Sequence, residues 1–255
     1  MASTTSRSTT RLARQAVRTC SNKSVIPSCR PAVSFSTSAT RLTQDLDQRP
    51  RWSYTPERMK APFSPHITKD PSRSVWRVNE SPEKLDEALR RFLGREGDRI
   101  LPDELKWLAV THKSFDQGRR GFNDRLAFLG RQICVFECTQ YIIDSPSTYK
   151  GLENDPFADR REPFEDPALR GINNLFETQP SDVFDLTKLA RLAIDTGLTN
   201  VVRWKPRMPE NIKGSGFEPV MAGAIYAIVG AIALQRGGKI ASRIVREKIM
   251  NRLRQ

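Results

Sequence analysis

The sequence predicts an all-α domain, a helical bundle with an N-terminal extension. Three observations point there. From about residue 81 onward, apolar residues recur at i, i+3, i+4 and i+7 in several separate stretches, the period of one helix face. No stretch alternates apolar and polar residues in the manner of a half-buried strand. A continuous apolar run, Val220 to Leu234, is rich in Gly and Ala and reads as a helix buried on all sides. At 255 residues and 38% hydrophobic content the chain has room for one sizeable domain plus tails.

Residues 1–43 come first. They carry Arg7, Arg11, Arg14, Arg18, Lys23, Arg30 and Arg41, no acidic residue, and many Ser and Thr. This is the composition of a mitochondrial transit peptide, with Thr10 to Arg18 able to form a basic amphipathic helix; a basic disordered arm is the other reading. Residues 44–80 mix Pro, Arg and aromatics (Trp52, Tyr54, Phe63, Trp76) without a period, fitting either an extended arm laid over a surface or an unstructured tail.

The domain proper, 81–255, opens at Ser81-Pro82, an N-cap followed by proline at the first helical position. Leu85, Ala88, Leu89, Phe92 and Leu93 form the apolar face of that helix, which Gly94 ends. A second helix follows Asp103 with Leu105, Leu108 and Ala109 inward, and a third spans about 123–141. Residues 145–181 are rich in Pro and acids (Glu153, Asp155, Asp159, Glu162, Glu165, Asp166) and are expected as a loop insertion, either solvated or docking a protein. Leu186, Leu189, Ala190, Leu192 and Ala193 give another helix before Gly197, a C-cap candidate. After the 220–234 helix, Lys239 to Leu253 closes the chain with Ile240, Ile244, Ile249 and Leu253 inward.

Net charge is +13, which calls for a polyanionic partner: nucleic acid or an anionic membrane surface. Taking the seven presequence cations from the 42 basic residues leaves a surplus of six over the 29 acidic ones. The longest apolar run is too short for a confident membrane span. Cys134 and Cys138 sit four apart without a second ligand pair, so buried thiols fit better than zinc. His112 and Ser114 lack an orienting acid for nucleophilic catalysis.

Four segments, in order, carry a resemblance. Asp124-Arg-Leu-Ala-Phe-Leu-Gly-Arg131 resembles the ribonuclease III signature Glu-Arg-Leu-Glu-Phe-Leu-Gly-Asp. Leu105 to Phe115 resembles the segment ending Thr-His-Arg/Lys-Ser-Tyr. Leu189 to Leu198 resembles the family's Leu-Ala-x-x-Ala-x-x-Leu-Gly-Leu helix, and Gly223 to Leu234 its Asp-x-x-Glu-Ala-Leu-Ile-Gly-Ala helix. Together they cover about residues 85–253. The resemblance implies the ribonuclease III endonuclease-domain fold. It also implies that the family's Mg²⁺ ligands fall on Ala127, Arg131, Gly223 and Tyr226, none of them a carboxylate, with Asp124 where the signature's first Glu stands. Mg²⁺ needs oxygen ligands, usually one or two carboxylates. The chain is therefore expected to be no enzyme, with no catalytic residue, no metal, no cofactor and no small-molecule substrate.

No double-stranded-RNA-binding domain follows, so RNA contacts are expected from the domain itself: Arg119, Arg120, Arg131, Arg203, Lys205, Arg207, Lys213, and Arg243, Arg246, Lys248 and Arg252 of the last helix. In the family the signature helix supplies a dimer seam, which implies interface roles for Phe128 and Leu129. A presequence, a degenerate nuclease domain and a basic surplus resemble the ribonuclease III-like proteins of mitochondrial ribosomes. The expected function is a structural constituent of the mitochondrial large subunit in the matrix. It would bind ribosomal RNA and neighbouring ribosomal proteins, a second ribonuclease III-like protein among them, with no transmembrane segment. The alternatives are an RNA-maturation factor binding double-stranded RNA and, less favoured, an active Mg²⁺-dependent endoribonuclease.

Overall fold

The Ser81 hydroxyl accepts a hydrogen bond from the Lys84 amide at 3.4 Å, and Pro82 follows with its φ already suited to a helix. Helix α1 (Pro82–Leu93) therefore starts where both signals stand. It buries Leu85, Ala88, Leu89, Phe92 and Leu93 and stops at Gly94, whose φ of 108° suits a residue without Cβ. The structure is a computed structural model describing residues 50, 52–55, 76–146, 166–169 and 171–254, all of one compact unit. The presequence and most of the arm lie outside the described residues.

Helix α2 (Asp103–Ala109) turns a different face inward from the one its apolar spacing suggests. Trp107 and Ala109 are buried together with Lys106, while Leu105 and Leu108 are only half-buried. Lys106 can be buried because its ammonium reaches Asp86 at 2.8 Å and Asp103 at 2.9 Å. Burial opposes its charge, but the two carboxylates outweigh it and raise its pKa.

Two long helices form the centre. Helix α3 (Asp124–Asp144) packs along α7 (Phe217–Arg236), and both positions at their crossing are glycine. A Cβ on Gly130 would fall 1.8 Å from the Tyr226 carbonyl oxygen, and one on Gly230 would fall 2.2 Å from that of Leu126. Only glycine lets the backbones approach so closely. Helix α7 has the length and hydropathy of a membrane span, yet 67% of its most apolar window is buried against the protein itself. That accounts for its composition as a core helix.

Between the long helices, part of the stretch expected as loop is helical. A 3-10 turn at Pro167–Leu169 and two single-turn helices, α4 (Asn174–Glu177) and α5 (Pro180–Val183), follow one another. Asn174 holds the end of α3 by donating to the carbonyls of Ile142 at 3.0 Å and Ser145 at 3.1 Å. Residues 147–165 lie outside the described residues. Helix α6 (Leu186–Asp195) buries Leu189, Ala190, Leu192 and Ala193 against α7, leaves Leu186 exposed, and gives way to Gly197 at φ 75°.

The last helix departs from the expected register. It runs as α8 (Gly238–Ile244), a π-helical stretch Val245–Met250, and a final turn α9 (Asn251–Leu253). Its buried face is Ala241, Ile244, Val245, Ile249 and Met250, while Ile240 is exposed. A π stretch bonds to i+5, so the face rotates in a way that a 3.6-residue period cannot reveal. Among the described residues the one β feature is an isolated bridge between Thr111 and Arg203.

Candidate nucleic-acid interface

The crossing of α3 and α7 places the four degenerate positions in one neighbourhood. Ala127 and Arg131 lie on one face of α3, and Gly223 and Tyr226 lie on α7, where Tyr226 meets Gly130. Arg131 is exposed and close enough for its charge to act on the Tyr226 hydroxyl. Tyr226 is buried edge-on to Phe184, ring centroids 6.3 Å apart. Burial, then Cys134, pushes its pKa up to about 12, so the phenol stays neutral near pH 7.

These donors do not fit Mg²⁺. A methyl group, a guanidinium, a hydrogen and a neutral phenol offer no carboxylate oxygen, and the fixed positive charge of Arg131 would repel the ion. Asp124, at the start of α3, is paired with Lys113 at 3.4 Å. Glu137, between three and four turns further along α3, is buried and accepts from the Arg246 Nε at 2.5 Å. Among the described residues no three His, Cys, Asp or Glu side chains converge.

The sequence-named cations divide into two groups. Arg203 is buried, a correction to its expected role as a surface phosphate contact. Its guanidinium lies 3.7 Å from the centroid of the Trp107 ring and donates to the carbonyls of Asn79 at 3.2 Å and Trp52 at 2.9 Å. Trp52 in turn stacks on Trp107 at 4.6 Å, so Arg203 and the two rings clamp the arm onto the domain. Burial, then the nearby Arg120, lowers the pKa of Arg203 to about 10. It remains charged at neutral pH, stabilised by ring faces and carbonyl dipoles.

Arg119 and Arg120 are half-buried and make internal contacts. Both pair with Asp116, at 2.9 and 3.2 Å, and Arg120 also donates to Thr55 at 2.6 Å and to the Trp52 carbonyl at 3.1 Å. Arg246 joins α3 to the π stretch through Glu137 and, at 3.1 Å, Gln140. Arg131, Lys205, Arg207, Lys213, Arg243 and Arg252 face outward, and Lys248 is half-exposed. Nothing in the local sequence separates clamps from surface cations, because the separation depends on where Trp52 and Asn79 dock.

Two further pairs of residues behave as structure. The Ser114 hydroxyl donates to Nδ1 of His112 at 2.9 Å and accepts from the Lys205 amide at 3.0 Å, tying two loops together. Burial lowers the His112 pKa. Cys134 and Cys138 are free and buried, and burial raises their thiols to about 12 and about 11. They are expected to remain protonated and inert.

On the outer side of α3, Phe128 is 69% exposed and Phe136, two turns on, is 59% exposed. Leu129 and Val135 between them are half-buried. The two rings stand about two turns apart, with Arg131 and Gln132 exposed between them.

The family described as Ribonuclease-III-like matches residues 102–253. A protein of Neurospora crassa described as "Large ribosomal subunit protein mL57" is 52% identical over 225 residues, covering 87% of this chain and 82% of that one. A solved nuclease domain of ribonuclease III from Campylobacter jejuni is 22% identical, with a TM-score of 0.43, over 69% of this chain and 99% of that one.

Proposed function

The chain belongs to the ribonuclease-III-like family, and from that premise we propose that it is a structural protein of the large ribosomal subunit in mitochondria. The observation that carries this reading is the α3–α7 crossing. It keeps the family's frame while its ligand positions hold Ala127, Arg131, Gly223 and Tyr226. A frame retained without its chemistry is one used for docking. The Neurospora crassa relative, named as a large-subunit protein and matched over most of both chains, supports the same assignment. The composition of residues 1–43 supports a matrix location. The protein is not an enzyme, and its domain binds ribosomal RNA and neighbouring ribosomal proteins.

The exposed rings of Phe128 and Phe136, with the half-buried Leu129 beside them, are in this proposal the seat of a second ribonuclease III-like protein. Aromatic anchors at the centre of an interface account for much of its binding energy, and two such rings exposed to water on the outer side of α3 call for a cover. Affinity purification of the tagged chain from mitochondria tests both parts. Large-subunit RNA and one ribonuclease III-like protein should co-purify, and Phe128→Asp with Phe136→Asp should release that protein. Recovery of neither would overturn the reading.

A further inference from the structure

We infer that the cleft beside α1 and the cationic ridge at its C-terminal end are the RNA-binding site, the cleft taking one unpaired nucleotide and the ridge its flanking phosphates. The inference rests on the RNA-binding reading above and names the surface and the form of RNA. The cleft holds about 700 Å³ and lies between the strap Arg77–Ser81, the outer face of α1, and the turn around Gly197 and Asn200. That is within the size range of pockets for compact organic ligands. Its rim carries Arg77, Lys84 and Arg91.

Arg91 links cleft to ridge. A Cβ on Gly197 would lie 3.4 Å from its Nη1, and its backbone carbonyl accepts from Nη2 of Arg252 at 3.2 Å. Lys248 reaches the same corner, its Nζ 3.9 Å from where a Gly94 Cβ would sit. The cations Lys84, Arg91, Lys248 and Arg252 therefore follow one edge. A guanidinium has five N–H donors, so Arg252, bonded to the Arg91 carbonyl through Nη2, has donors left for phosphate.

Acidic residues decide which part of RNA goes where. Glu80 and Glu87 line the cleft, and Glu87 is paired with Arg91. Carboxylates repel phosphate but accept hydrogen bonds from exocyclic amines of bases. Base inside and phosphates on the ridge is the arrangement that satisfies both. A lipid surface would meet the ridge but has nothing to fill a concave polar cleft. Arg131, Lys205, Arg207, Lys213 and Arg243 also face outward, but at this edge the cations Arg77, Lys84 and Arg91 line a cavity as well.

The test uses the full chain and labelled RNA of roughly twelve nucleotides in about 0.1 M salt, read by fluorescence anisotropy. The variant Lys84→Glu with Arg91→Glu and Arg252→Glu should bind about tenfold more weakly or worse. The slope of log affinity against log salt should fall by about 2, since each lost single-strand phosphate contact removes about 0.7. Arg91→Gln with Arg252→Gln should show a smaller loss in the same direction, and circular dichroism melting checks that both variants fold. Undiminished binding by the triple variant, with loss in Lys205→Glu, Arg207→Glu, Lys213→Glu, would overturn this site and leave RNA binding standing. A blunt duplex competing as well as single strands would overturn the nucleotide cleft. Vesicles containing phosphatidylglycerol displacing RNA through the same residues would overturn the choice of RNA. Wild-type protein binding no RNA would bring down the broader reading as well.

Discussion

Replacing Gly130 with alanine should destabilise the fold, whereas the same change at Gly223, two turns away on the facing helix, should not. A Cβ on Gly130 would sit 1.8 Å from the Tyr226 carbonyl oxygen and 2.8 Å from the Gly230 amide nitrogen. Ordinary contact between such atoms is about 3.3 Å. The two central helices would thus have to separate by roughly 1.5 Å along their crossing, opening gaps among side chains that otherwise touch. Overpacking of a core costs about 1–3 kcal/mol, and backbone neighbours that cannot swing away place this case at the upper end. Alanine recovers about 1 kcal/mol through helix propensity. The net loss is about 2 kcal/mol, or a Tm lower by roughly 4–8 °C in a domain of this size. At Gly223 an added Cβ meets nothing within 4 Å, so the propensity term acts alone and the change should stabilise by up to about 1 kcal/mol. Urea denaturation of both variants gives the comparison. A neutral or stabilising Gly130→Ala would mean that the helices do not cross at these glycines.

Arg246→Ala removes the partner of a buried carboxylate and should cost about 1–3 kcal/mol in chemical denaturation, and Glu137→Gln in that background should recover part of the loss. Trp52→Ala removes the stacking on Trp107, worth about 0.5–1.5 kcal/mol beyond the area buried, and should free the arm. Limited proteolysis near residue 52 should quicken without loss of the core's helical signal. Burial depresses the His112 pKa in the folded state, so below about pH 6.5 the unfolded chain binds the proton more readily. Stability should therefore fall as pH drops through that value, and His112→Gln should flatten this part of the Tm profile between about pH 5 and 7. Ala127→Glu alone should yield no Mg²⁺-dependent cleavage of duplex RNA, because Arg131, Gly223 and Tyr226 still supply no carboxylate; cleavage products on a denaturing gel would contradict that.

The helices were legible wherever local chemistry sets them. Ser81-Pro82 starts α1, Gly94 and Gly197 end helices, and Gly/Ala richness marks α7 as buried throughout. The pairing of Ala127 with Arg131 and of Gly223 with Tyr226 on the two central helices was legible too, because residues three or four apart share a helix face. Residues whose neighbours are distant in sequence were not. Arg203 looks like a surface cation until Trp52, Asn79 and Trp107 close around it, and Lys106 until Asp86 arrives from α1. The π stretch Val245–Met250 was not legible either, because hydrogen-bond register leaves no mark on composition. Phe136 was missed as a companion to Phe128, although its spacing of eight residues on one helix was available.

Sedimentation of a mitochondrial extract through a sucrose gradient at moderately high salt tests the central claim most directly. The account predicts that the protein travels with the large ribosomal subunit and stays there as salt rises, since a docked structural component is held by more than screened phosphate contacts. A protein found in the light fractions, or released as salt rises, would contradict it and point to a factor that only visits RNA.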